Sequence, residues 1–142
     1  ILIPQLEELD KKVTQRNKLY NVLNDNLKKQ NGIFFPNRDS DEYFVGSSIQ
    51  FRIDSLNNEQ IKSFINNCKA RGVELKWFGD EKPVAYTSRY DSWKYLDNIP
   101  RLANTLRILA KTFDMRIPLT FTVQDCNIIS KIIIEELQKV QN

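Results

Sequence analysis

Tyr43-Phe44-Val45-Gly46-Ser47-Ser48-Ile49-Gln50-Phe51-Arg52-Ile53 alternates in polarity: Val45, Ile49, Phe51 and Ile53 share one parity, and Gly46, Ser48, Gln50 and Arg52 share the other. Successive side chains of a strand point to opposite faces, so this pattern predicts a strand with one face in a core and one face open. Downstream, Asn57-Asn58-Glu59-Gln60 has the form of a helix start. It leads into a helix with Ile61, Phe64, Ile65 and Cys68 on one face, stopped by Gly72. Val73, Leu75 and Trp77 alternate again and predict a second strand.

Gly79 to Pro83 is a turn signal, and Tyr86 to Tyr95 is dense in aromatic and polar residues without a clean period. Pro100 opens a further helix in which Leu102, Leu106, Leu109 and Phe113 recur every three or four residues, and Met115, Ile117 and Leu119 read as a third strand. Thr122-Val123-Gln124-Asp125 resembles a capping box ahead of a final Ile-rich helix. Upstream, nothing between Pro4 and Asn31-Gly32 breaks a helix, so one long N-terminal helix is expected. Its apolar seam, Leu6, Leu9, Val13, Tyr20, Leu23 and Leu27, is narrow and is interrupted at Arg16. Such a helix either lies on its own domain or connects to an upstream domain or a second chain. The fold class is therefore α+β: a small, mainly antiparallel sheet with helices packed on one face, preceded by a long helix. Residues 1–32 form the connecting helix and 33–142 the small domain.

The 142 residues suffice for one core, and 41% hydrophobic with 27% charged residues is an ordinary globular composition. No apolar run is long enough for a membrane span and no signal peptide is visible, so a cytoplasmic protein without a membrane partner is expected. The chain opens on Ile1 and enters a helix at once, which predicts that the natural polypeptide begins further upstream. A net charge of +3 without a basic stripe speaks against nucleic acid as a partner. Histidine is absent, which removes the commonest general base and every Ser-His or Cys-His nucleophile pair. Cys68 and Cys126 fall on apolar helix faces, where a thiol is usually a small buried hydrophobe. No P-loop, GxGxxG, CxxC or HExxH motif is present, and the adjacent carboxylate pairs do not share a face.

On the open parity of the three strands stand Arg52, Lys76 and Arg116, one cation each. A guanidinium matches a carboxylate through two parallel hydrogen bonds, so Arg52 or Arg116 is a candidate anchor for an acidic substrate or a phosphate. An ordinary solvated sheet face would carry the same residues. Tyr86, Arg89, Tyr90 and Trp93 combine rings, hydroxyls and a cation as a ligand loop does, or as a surface loop pinned by its rings.

Several segments together resemble the fold-type-I pyridoxal-phosphate (PLP) aminotransferases, in the DegT/DnrJ/EryC1/StrS branch that acts on keto sugars and related compounds. Leu6-Glu7-Glu8-Leu9-Asp10 through Arg16-Asn17 and Tyr20 to Leu27 is similar to the helix that leaves the large PLP domain there. The strand from Tyr43 to Arg52, then Arg71-Gly72-Val73-Glu74-Leu75-Lys76-Trp77-Phe78, Ile99-Pro100-Arg101-Leu102-Ala103 and Arg116-Ile117-Pro118-Leu119 follow in the family's order. Where that family commonly carries a His-Tyr pair, this chain has Trp77-Phe78, which leaves open a keto sugar or a small keto acid as acceptor.

The resemblance implies a C-terminal small domain whose parent binds PLP through a lysine in an upstream domain and is a homodimer. It implies that the chain alone binds no cofactor, has no catalytic residue of its own and is inactive as a fragment. It further implies that the domain closes the active site and presents an arginine to substrate, Arg116 first, then Arg52 and Arg89. Two other readings stand beside it. One is a self-standing module that captures an acidic metabolite through Arg52, Lys76 and Arg116. The other is an interaction protein that dimerises through its first helix.

Overall fold

The computed structural model describes residues 3–39, 41–82 and 97–142. Its elements are α1 (Ile3–Glu7), α2 (Leu9–Leu27), β1 (Ser48–Arg52), α3 (Asn58–Ala70), β2 (Lys76–Trp77), α4 (Ala103–Leu109), β3 (Thr112–Arg116) and α5 (Val123–Gln141). The strands form one antiparallel sheet in the order β1-β3-β2, so the last strand in sequence is the central one. Register pairs Ser48 with Arg116, Gln50 with Asp114 and Arg52 with Thr112 on one side, and Lys76 with Asp114 on the other.

One face of the sheet is buried and the helices α2, α3 and α5 supply its cover. Ile49, Phe51, Trp77, Phe113 and Met115 point into a single core with Leu23, Leu27, Phe64, Cys68, Ile133 and Leu137. Phe113 is its centre: its ring stacks on Phe51 at 5.5 Å and meets the edge of Phe64 at 5.6 Å. Each large apolar side chain buried this fully contributes about 2 kcal/mol through the water it sheds. The alternation that placed Ile49 and Phe51 inside and Gln50 outside is the observed one.

The helix ends follow local chemistry. Asn57 accepts from the Gln60 amide while Gln60 returns a bond to the Asn57 amide, a closed capping box; Thr122 and Asp125 do the same for α5. Gly72 takes φ +84° just past α3, the left-handed turn that glycine adopts without a Cβ clash.

Several expectations need correction. The long first helix breaks at Glu8, which leaves α1 separate from α2. Leu6 and Leu9 on this stretch are exposed, whereas Val13, Tyr20, Leu23 and Leu27 are buried, so the seam packs on its own domain only from Val13 onward. The first strand begins at Ser48 rather than Tyr43, because the segment before it bonds to a helix side chain. Asn17 donates to the Phe44 carbonyl at 2.9 Å and accepts from the Gly46 amide at 2.7 Å. Val45, expected in the core, is therefore partly exposed. Phe113 belongs to β3 and not to the preceding helix, which ends at Leu109, and Leu119 lies beyond the strand.

Both cysteines are free and buried. None of the described helices is long and apolar enough to cross a membrane.

Candidate functional site

Along β1 and β3 every second side chain faces away from the core. Register therefore gathers Ser48, Gln50, Asp114 and Arg116 on the open face, with Lys76 joining from β2. These residues line a hollow of about 530 Å³, together with Arg16 of α2, Phe78 and Pro118. Arg16 reaches it because its Nη1 donates to the Ile117 carbonyl at 3.1 Å, one residue beyond Arg116. Neighbouring Gln15 donates to the Leu119 carbonyl at 3.1 Å, so α2 holds the chain leaving β3 at two alternate carbonyls.

The charges are unequal: Arg16, Lys76 and Arg116 face Asp114. Asp114 stands directly across from Lys76 in the ladder, an opposite-charge cross-strand pair. The Lys76 ammonium also sits 4.9 Å from the centre of the Phe78 ring. Three cations against one carboxylate leave the lining of the hollow with an excess of positive charge. An acid or phosphate fits such a hollow, because each guanidinium offers a planar fork of donors to an oxyanion.

Arg116 is thus placed in the hollow, but Arg52 is not brought to it. Arg52 shares the open face yet pairs with Thr112, four residues along β1 from the partner of Arg116. Its Nε is ion-paired with Asp54 at 2.8 Å and its guanidinium lies 5.6 Å from the Phe34 ring. It lines a separate hollow of about 420 Å³ with Arg107 and Lys111, the latter bonded to the Leu56 carbonyl. Arg89, Tyr86, Tyr90 and Trp93 lie outside the described residues.

Sequence reasoning missed Arg16, Gln50 and Asp114. Gln50 and Asp114 carried a signal, since both fall on the open parity once the strands are aligned. Arg16 carried a different one: it is the place where the apolar seam of the first helix fails.

The described residues do not assemble a site for PLP. The N-termini of α3 and α5, which a phosphate group would need open, are closed by their own capping boxes. Lys76, the lysine of the hollow, lies over the Phe78 ring on an open sheet face. Among the described residues no group of three or more Cys, Asp or Glu side chains could hold a metal ion.

No protein-family model and no curated protein matches this sequence. Among solved structures the fold is similar to that of an aminotransferase, TlmJ from Streptoalloteichus hindustanus, with a TM-score of 0.76 and 14% identity over 96% of this chain and 34% of that one. It is similar also to 3-amino-5-hydroxybenzoic acid synthase, with a TM-score of 0.71 and 18% identity over 95% of this chain and 36% of that one. At these identities the likeness is one of fold. The chain spans about a third of the length of the structures it matches. Its architecture, three antiparallel strands with helices on one face, is that of the matching segment of these enzymes.

Proposed function

We propose that this chain is the small C-terminal domain of a PLP-dependent aminotransferase of the DegT/DnrJ/EryC1/StrS type, transferring an amino group to a keto sugar or keto acid. The observation that carries this reading is the superposition of nearly the whole chain on about a third of an aminotransferase. The remaining two-thirds of such an enzyme is room for an upstream domain that holds the cofactor, and the parent is a homodimer. PLP there serves as an electron sink for the amine chemistry.

This chain's own part is to cover the site, exclude water and offer Arg116 to the acidic group of the substrate, fixing its orientation through a two-point grip. The domain alone is inactive, and the parent is a cytoplasmic enzyme. Visible absorbance tests the assignment. The whole polypeptide encoded by the gene, given PLP, is expected to develop the absorbance band of the bound cofactor, and the 142-residue chain is not. A band on the short chain, or none on the long one, overturns it.

One observation favours a second reading, a self-standing module for an acidic metabolite: Arg16, Lys76 and Arg116 line one hollow on the open face of the sheet. A complete module binds its acid at roughly micromolar strength or better, whereas half of a site binds at roughly millimolar strength. Calorimetric titration of the chain with keto acids and phosphates separates the two.

A further inference from the structure

We infer that Arg16 is a second anion-binding residue of the hollow, and that Arg16 and Arg116 together select a ligand with two anionic groups over a ligand with one. The inference rests on the reading of this hollow as a substrate site and adds to it a residue and a charge requirement. Three observations support it. Arg16 enters the hollow from a helix, whereas Arg116 enters it from the sheet, so the two guanidiniums approach from different elements. Arg16 uses Nη1 for the Ile117 carbonyl, and a guanidinium has five N–H donors, so most of its fork is left over after that anchor is made. Asp114 is the single carboxylate among the described residues lining the hollow, against the three cations Arg16, Lys76 and Arg116.

An anchored guanidinium costs little further ordering when a ligand arrives, because its position is already set by the carbonyl. A ligand with one anionic group satisfies one of the two arginines and leaves the second facing it without a partner. A ligand with two anionic groups satisfies both. The shared chemistry of suitable ligands is paired oxyanions, whether carboxylate or phosphate.

The test uses the 142-residue chain labelled with ¹⁵N, reading the arginine Nε resonances during titration with acetate, succinate, inorganic phosphate and pyrophosphate at matched ionic strength. Succinate is expected to bind about ten-fold more tightly than acetate, the increment of one added charge-assisted contact. The Arg16 and Arg116 resonances should move together with one dissociation constant. Arg16→Gln keeps an amide donor for the Ile117 carbonyl and should lower succinate affinity to that of acetate; Arg116→Gln should do the same. If Arg16→Gln does not fold, Arg16→Lys, which keeps the charge without the fork, should give an intermediate loss.

Pyrophosphate binding above succinate identifies a phosphate-bearing ligand and the reverse order a dicarboxylate; both orders support the pair of arginines. Equal affinity for acetate and succinate, a silent Arg16 resonance, no binding of any probe, or a wild-type response from Arg16→Gln overturns it. None of these outcomes bears on cofactor binding by the whole polypeptide, so the aminotransferase reading fails or stands separately.

Discussion

Gly46 lies flat against Tyr20: a Cβ built on Gly46 would stand 2.4 Å from the Tyr20 Cβ and 3.3 Å from the Arg16 carbonyl oxygen. The contact places the chain entering β1 directly on α2, at the turn of helix that carries Arg16 and Asn17. Gly46→Ala should therefore push α2 from the sheet and destabilise the fold by about 2 kcal/mol, the usual cost of overpacking a closed contact. Urea denaturation checks this, and an unchanged midpoint would contradict the close approach.

The caps of α3 and α5 carry a second prediction. Asn57→Ala removes the acceptor of the Gln60 amide, and Thr122→Ala that of the Asp125 amide. Each should cost about 1 kcal/mol. Because the two caps belong to separate helices, the double variant should lose the sum, read from the same urea midpoints.

Glu136 gives the fold a dependence on acid. Its carboxylate is buried between the Lys139 ammonium and the Arg71 guanidinium, each at 2.7 Å, and those bonds hold it below its ordinary value of 4.5. A carboxyl depressed on folding stabilises the native state above its unfolded value and ceases to do so as pH falls through the folded value. Glu136→Gln should thus melt lower than the native chain at pH 7, and the gap should narrow as pH falls below the ordinary value of 4.5. Thermal melts across pH 2 to 7 measure it, and a gap independent of pH would remove Glu136 from this role.

Cys68 behaves in the opposite sense. Burial, and after it the Glu136 charge, pushes its thiol up to about 12 from 9.0. The folded thiol stays protonated while the unfolded one ionises, so its contribution to stability is complete below pH 9 and is lost as pH rises toward 12. Iodoacetamide at pH 8 should leave Cys68 unmodified in the native chain and react with it in urea. Mass spectrometry decides; rapid native labelling would contradict the buried site.

Much of this fold is written in local pattern. The capping boxes at Asn57 and Thr122, the stop at Gly72 and the alternation through Ile49 to Arg52 are each properties of a few neighbouring residues, and each appears in the structure where the pattern puts it. What was not legible depends on tertiary contact. Phe113 satisfies a helical repeat with Leu109 and a strand repeat with Met115, and only its place against Phe51 and Phe64 selects the strand. Val45 carries the core parity but leaves the sheet because Asn17, 28 residues earlier, occupies the backbone groups beside it.

The hollow shows the same division. Arg116 could be named from its parity, whereas Arg16 reaches the site through a bond to Ile117, 101 residues away. Arg52 has the right parity and the wrong place along the strand, a distinction that requires the register of β1 on β3.

Steady-state amine transfer by the whole encoded polypeptide, compared with its Arg116→Gln variant, bears most directly on the aminotransferase reading. The native enzyme is expected to transfer amine in a PLP-dependent manner. Loss of the guanidinium should raise KM for the acidic substrate by about ten- to a hundred-fold, with kcat less affected, while Lys131→Gln on the exposed face of α5 should change neither. No amine transfer by the whole polypeptide, or kinetics unaltered by Arg116→Gln, would contradict it.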